Sequence, residues 1–580
     1  MNNVDFYSVT PNQYSSLETK DNNALYFLNN GEIYKGETLL SNNVKIVADG
    51  EDYPETGENN KLYAKLNGES AFWNGSSYTL ISRSIIDKLN DIQNTINNML
   101  NTTLDPVKIL QKTVTNISNE SINIIGEYVF YDCANLTSVY LPNVTTIGND
   151  AFKECTNLNS INVDSVITIG NEAFYKCTNM ESINLLNATN IGEYAFYNCA
   201  SLTSIYLPNV TTIGTYTFHG CIGMISANIP NVTSINTAAF YNCTNLSSVI
   251  TNNLTYIGNA AFYRCSNLPS ENIDLSNVVE LGSSAFLYCD SLTYANMPAA
   301  TTIDAYAFQH CTGLISINFP LITRLNVSVL NDCTSLTSIN LPEVITLETN
   351  SIRGCTSLET IDLPKVTTIG SNVFWDCTSL RSINIPNVTT IGSSSFRNCT
   401  SLASINLSNV ESISSEALRG CTSLTSVNLT NTTRILSSAF ESCTSLQSIS
   451  IPNVTELGSY VFRNCTSLES IDLPNVTMFN SGIFENCTSL QYAKLYNVIG
   501  QLNMNSVYAT MFKDCTSLTT VILQCNEVIP LNNVNAFTGT PIASGTGYVY
   551  VPDDLVNTYK AATNWSTYAN QIKSMNELSN

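Results

Sequence analysis

The residues with the most scope for chemistry are nineteen cysteines and two histidines. All but one of the cysteines keep a 22-residue interval: Cys133, Cys155, Cys177, Cys199, Cys221, Cys243, Cys265, Cys289, Cys311, Cys333, Cys355, Cys377, Cys399, Cys421, Cys443, Cys465 and Cys487, with one two-residue slip before Cys289, then Cys515 after a longer insertion. His219 and His310 each stand just before a repeat cysteine. A thiol beside an imidazole is the arrangement of a nucleophile and its base. Here the histidines take a variable slot that other coils fill differently, which argues against an enzyme. No HExxH or GxSxG occurs, and the glycines Gly539, Gly545 and Gly547 lack the residues of a nucleotide fingerprint. A zinc site needs ligands clustered from different positions, and CxxC pairs are absent. Neither cofactor nor metal is expected.

Equivalent cysteines in stacked coils lie about 4.8 Å apart, but their parallel side chains disfavour disulfide closure. Reduced, buried thiols acting as small hydrophobes are the expectation. A fixed period of this size means a solenoid, in which each coil packs only on its neighbours.

The repeat reads C-x-x-L-x-S-I-N-L-P-x-V-T-x-I-G-x-x-A-F-x-x. Its L-x-S-I-N-L portion alternates as a half-buried strand does, with Ile and Leu inward and Ser and Asn outward. Proline, as in Pro142, Pro208 and Pro342, ends the ladder because it has no N–H. The Ile-Gly pair, as in Ile147-Gly148, predicts a turn that needs glycine's conformational freedom. Phenylalanine stands three before most cysteines, replaced by Leu330, Ile352 and Leu418, and predicts a continuous aromatic spine. The insertions within 270–282 and 495–512 read as local bulges.

Four regions follow. Residues 1–84 form a small β-rich module whose phrases ALYFLNNGEIYKG (24–36) and KLYAKLNGESAFWNG (61–75) read as hairpins about Asn30-Gly31 and Asn67-Gly68. Residues 85–104 carry a heptad seam of Ile85, Leu89, Ile92, Ile96 and Met99. That seam suits either a lone linker helix or a short parallel bundle of several chains, with isoleucine and leucine at both seam positions favouring a trimer. Residues 105–524 are the solenoid. Residues 525–580 form an α/β cap, needed because the last coil exposes an apolar edge.

The net charge is −22 and only 12% of residues are charged. This argues against nucleic acid and anionic membrane as partners. No apolar run is long enough to insert in a bilayer, and the opening MNNVDFYSVT has no signal-peptide character.

The phrase LPNVTTIGNDAFKECTNL (141–158), repeated along the chain, resembles the BspA-like leucine-rich repeat family. The resemblance runs from about residue 112 to the closing segment FTGTPIASGTGYVYVPDDLVNTYKAATNWSTYA (537–569), which looks like that family's cap. It implies a right-handed solenoid with a parallel sheet on one face, used for adhesion and surface binding. Residues 9–39 and 54–78 resemble N-terminal modules of phage tail-fibre and virion-surface proteins.

Together these suggest a phage virion structural protein, on tail or capsid, made in the host cytoplasm and displayed on the virion surface. It would dock to other virion proteins through residues 1–84 and bind a bacterial surface glycan or protein through the solenoid. The alternative is a bacterial surface adhesin or protein-interaction protein. Candidate ligand-binding residues are tyrosines on the strand face (Tyr140, Tyr206, Tyr294, Tyr492) and an aromatic set two before the cysteine (Tyr131, Tyr175, Tyr197, Tyr241, Tyr263, Trp375). Exposed aromatics among hydrogen-bonding side chains suit sugar or protein recognition. Equally, the second set could serve only to cover and stiffen the solenoid flank.

Overall fold

The computed structural model describes residues 114–477, 479–496, 510–531 and 533–578, together with the backbone of eight short strands between Phe6 and Leu80. The heptad residues Ile85, Leu89, Ile92, Ile96 and Met99 lie outside the described residues, as does most of the second insertion. Two compact units divide the chain, Met1–Asp274 and Leu275–Asn580. Their boundary falls inside the first insertion, where Ser270–Asn272 forms a 3-10 turn.

Each unit is a parallel β-solenoid. Three-residue strands such as Ser204–Tyr206, Ser226–Asn228 and Ser248–Ile250 pair in register, each residue opposite its equivalent one coil on. Their middle residues are buried and their ends face outward, as the alternation predicts. Beyond the proline corner runs a second parallel ladder of two-residue strands, such as Thr146–Ile147 beside Thr168–Ile169. The expected glycine turn is instead this second strand and the bend after it. Gly148 does not have positive φ; a Cβ there would stand 2.7 Å from the backbone nitrogen of Glu127 in the preceding coil. Glycine serves close approach between coils, not conformational freedom.

The proline corner has its own ladder. Pro230 offers no N–H, and the side-chain amide of the following Asn231 donates to the Pro208 carbonyl one coil back at 2.7 Å. Asn209, Asn387, Asn453 and Asn475 repeat the contact.

The third side of each coil is the turn before the cysteine. Residues five before and one before the cysteine lie in the left-handed region, for example Tyr194 (φ 54°) and Asn198 (φ 55°). A left-handed residue costs roughly 1–2 kcal/mol. Offsetting this, alternate N–H groups of the turn point along the stack. Tyr194, Phe196 and Asn198 donate to the carbonyls of Thr215, Thr217 and His219 in the next coil at 3.0, 2.8 and 2.7 Å. Asparagine and aspartate are common at the last of these positions, as expected of residues that tolerate this conformation.

The core holds the columns read from sequence. Phe130, Phe152, Phe174, Phe196, Phe218, Phe240 and Phe262 are buried, with successive rings from Phe130 to Phe262 stacked at 5.1–5.4 Å. In the second unit the spine is not continuous: Phe286–Phe308, Phe374–Phe396 and Phe440 to Phe512 are separate stacks. The aliphatic side chains of Leu330, Ile352 and Leu418 fill the gaps at 0% exposure.

All nineteen cysteines are free and buried. The repeat thiols also tie each coil to the one before it. Cys155 donates to the Phe130 carbonyl of the preceding coil at 3.0 Å, and Cys177 to that of Phe152 at 3.1 Å. A small apolar side chain with one weak donor fits this site, where alanine would leave the extra bond unmade. Burial pushes the thiols up, that of Cys377 to about 12.

In the cap, Tyr548–Val551 and Ile572–Ser574 continue the sheet from Thr520–Gln524. Phe537 stacks on Phe512 at 5.7 Å, and Trp565 and Tyr568 close the column with tilted and edge contacts. The odd cysteine, Cys525, meets the Tyr559 hydroxyl at 3.1 Å.

Near the N-terminus, Leu25–Leu28 pairs antiparallel with Ile33–Lys35, and Leu62–Lys65 with Ser70–Trp73, the two expected hairpins. Tyr78–Leu80 then pairs with Ile122–Ile125, so the second hairpin extends the ladder of two-residue strands.

Candidate binding surface

The inter-coil bonds of the turn hold the backbone of every residue two before a cysteine in the same register. Side chains there must stack at the coil spacing, about 4.8 Å. In the first unit all but Lys153 are rings. Tyr175, Tyr197, His219, Tyr241 and Tyr263 form one pile with centroid separations of 4.7, 4.4, 4.6 and 4.4 Å and interplanar angles of 5–9°. His219 is the member that the sequence set lacked. The nearby Cys221 thiol turns inward, away from the ring, and donates to the Phe196 carbonyl at 3.1 Å. Burial holds the imidazole below its ordinary value, so it is a neutral ring at pH 7. His310, one before its cysteine and so outside this column, stacks on Tyr288 at 4.8 Å while the Cys311 thiol donates to the Phe286 carbonyl.

Tyr131 belongs to the column without joining the pile. Lys153 occupies the slot between, with its ammonium 6.0 Å from the Tyr131 ring and 5.0 Å from that of Tyr175. Asp150 lies 2.9 Å from Lys153. A second pair, Tyr194 and Tyr216, stacks at 4.7 Å five before the cysteine and leans on Tyr197 and His219. These two were missed from sequence, although Tyr128, Tyr194, Tyr216, Tyr306 and Tyr460 stand out at that position among Ser, Ala and Glu.

Within the pile the ring faces cover one another, so the interior members present edges and phenol hydroxyls. Burial raises the ordinary ionisation range of Tyr197 and Tyr241, so both remain neutral donors at pH 7.

Trp375 occupies the same position in the second unit with different neighbours. The guanidinium groups of Arg353 and Arg397 sit 4.1 and 4.8 Å from its ring, a cation–π sandwich. Further along, the column is Arg419, Glu441, Arg463, Glu485 and Lys513. Glu441 is 2% exposed between Arg419 at 3.4 Å and Arg463, whose Nε donates to it at 2.9 Å.

The strand-face tyrosines are not one surface. Tyr140 and Tyr206 are opposite asparagines of the next coil, Asn162 and Asn228. Tyr294 and Tyr492 pair with serines, Ser316 and Ser470, two positions earlier along the strand. Tyr140, Tyr206 and Tyr294 are 44%, 46% and 43% exposed, while Tyr492 is half-buried. They lie coils apart from one another. Among the described residues, no group of three or more His, Cys, Asp or Glu is placed to hold a metal.

A model of the BspA type leucine rich repeat region matches residues 108–225, 211–336, 323–444 and 411–543. The chain belongs to this family. Solved structures similar to this BspA-type chain include a leucine-rich repeat protein from Bacteroides ovatus, 26% identical, covering 66% of this chain and 87% of that one, with a TM-score of 0.37. A leucine rich cell surface protein from Faecalibacterium prausnitzii is 24% identical over 54% of this chain and 87% of its own, with a TM-score of 0.35. The leucine rich repeat protein of T. pallidum is 23% identical over 30% and 77%, with a TM-score of 0.24. No curated protein matches. The family match leaves residues 1–84 uncovered, and no match supports their likeness to virion modules.

Proposed function

We propose that this BspA-type chain is a surface-interaction protein that binds a protein partner through the turn side of its solenoid. One observation carries the reading. A single outward position is held in register coil after coil, and its side chains form a preorganised Tyr–Tyr–His–Tyr–Tyr pile. Stacked rings have little conformational entropy left to lose, and Tyr beside Ser and Asn is the chemistry of rigid, adaptable recognition surfaces. Because the interior ring faces are already covered, edge contacts and phenol hydrogen bonds are available, which suits a protein surface better than a stacked sugar.

Display on a cell surface, as the family resemblance implies, is favoured over a place on a virion. The tail-fibre reading rests on residues 9–39 and 54–78 alone, and an oligomer through residues 85–99 rests on the heptad pattern. The test is binding of labelled full-length chain to intact bacterial cells before and after the cells are treated with protease or periodate. Loss on protease treatment alone is expected. Loss on periodate alone would make the ligand a glycan and overturn the protein-partner reading.

A further inference from the structure

From Tyr194 to Tyr263 the chain contains no Asp, Glu, Lys or Arg, although the whole carries −22. Three consecutive coils of the first unit are therefore without formal charge at pH 7. On their strand face lies an exposed apolar patch: Ile225 is 54% exposed, Ile250 49% and Tyr206 46%, with Ile222 at the preceding corner. Some equivalent positions in other coils carry charge. Four after the cysteine, where Ile225 stands, are Glu181, Glu359, Arg381 and Glu469; seven after, where Ile250 stands, are Asp362 and Asp472. The solenoid tolerates charge at these sites, and these three coils omit it.

We propose that this patch is where a second copy of the chain docks, face to face about a two-fold axis. Two copies at −22 repel wherever charged faces meet, and this band is a face on which no like charges meet. The patch is also self-complementary, as a two-fold contact requires. Tyr206, Asn228 and Ile250 are in register in one column, with Asn228 in the middle. An axis along the Ser226–Asn228 strand reverses the coil order of one copy. Tyr206 of each copy then meets Ile250 of the other, Ile225 meets Ile225, and the two Asn228 amides face each other with donor and acceptor both available. Glu181, two coils from Ile225 in its column, falls opposite Pro269 and not opposite another acid. The tyrosine pile lies on the turn side of the coil and stays open, so pairing would make the proposed recognition bivalent. The dimer does not depend on that recognition.

Sedimentation velocity of the full-length chain at low and high salt tests this. The expected result is a concentration-dependent two-fold association that tightens as salt screens the net charge. Ile225→Glu and Ile225→Lys should each weaken it at least tenfold while leaving the thermal unfolding curve in place, since Glu and Arg already occupy equivalent sites. Mixing I225E with I225K should restore association, because opposite charges then meet at the axis. Association that ignores I225E, or a mixture that stays dissociated, overturns the proposal. So does a chain that shows no association at any concentration; if I225E then abolishes cell binding, the patch serves a foreign partner. Cell binding that fails while the dimer survives would refute the proposed function alone.

Discussion

Residues 114–274 and 275–515 build the same turn on the same core, yet what they display two before each cysteine differs. The first stretch carries a pile of neutral rings; the second, beyond Trp375, carries Arg397, Arg419, Glu441, Arg463, Glu485 and Lys513. The backbone bonds that fix the position are alike: Asn198 donates to His219 at 2.7 Å, and Ser442 to Arg463 at 2.8 Å. What differs is the force between neighbouring side chains. Rings at coil spacing gain dispersion and lose little to salt, whereas exposed ion pairs are screened. A coil scaffold that determines height and direction thus leaves the chemistry of its surface open to change. One region can specialise in contact while the other remains a solvated, self-paired flank.

The comparison holds only if the core is common to both regions, and alkali gives the largest test of that. Burial raises the repeat thiols, that of Cys377 from 9.0 to about 12. An unfolded thiol ionises first, so stability is fully present below about pH 9 and is lost as pH rises toward 12. Circular dichroism between pH 7 and 12 should record both units failing in that window. A chain unaffected at pH 12 would contradict the buried thiol ladder. Next in size, Phe196→Ala in the first unit and Phe462→Ala in the second should each cost about 3–5 kcal/mol, with faster hydrogen exchange confined to adjacent coils. A cost below about 0.5 kcal/mol in one unit only would break the equivalence.

The surface changes are smaller and should diverge. Glu441→Ala removes a buried carboxylate from between two partly exposed arginines. Charged hydrogen bonds are worth about 1.5–3 kcal/mol, and solvent screening of the arginines puts the expected loss near 1–2 kcal/mol. That loss, read by denaturant unfolding, should shrink as salt is added. Tyr197→Gln removes one ring from the pile and should cost about 0.5–1.5 kcal/mol, with no dependence on salt. Gln309 occupies the equivalent place, so the fold accepts it. Equal salt dependence in the two variants would erase the distinction.

Much of this was legible in the residues. Cys, Phe and Leu recur at one phase because each faces a core that repeats, and the cap was visible where that phase stops. Three features were not. Gly148 reads as a turn residue, because a requirement for close approach and one for positive φ select the same amino acid. The left-handed positions at Tyr194 and Ala238 carry no glycine or asparagine to announce them; inter-coil hydrogen bonds impose the conformation instead. His219 reads as a possible base because it stands two residues before a cysteine, but its ring joins the pile between Tyr197 and Tyr241 while the Cys221 thiol turns to the Phe196 carbonyl. Stacking between coils is invisible until the period is laid out as a column, and only then do His219, Tyr194 and Tyr216 join the tyrosines.

The central claim is that recognition belongs to the ring pile and not to the charged column. Binding of the full-length chain to intact bacterial cells, compared with two variants, tests it most directly. One variant carries Tyr175→Gln, Tyr197→Gln, Tyr241→Gln and Tyr263→Gln; the other carries Arg353→Gln, Trp375→Gln and Arg397→Gln. The account predicts at least a tenfold loss of binding for the first, assayed well below its lowered unfolding midpoint with native circular dichroism retained, and near-native binding for the second. Native binding by the first variant, or loss confined to the second, would contradict it.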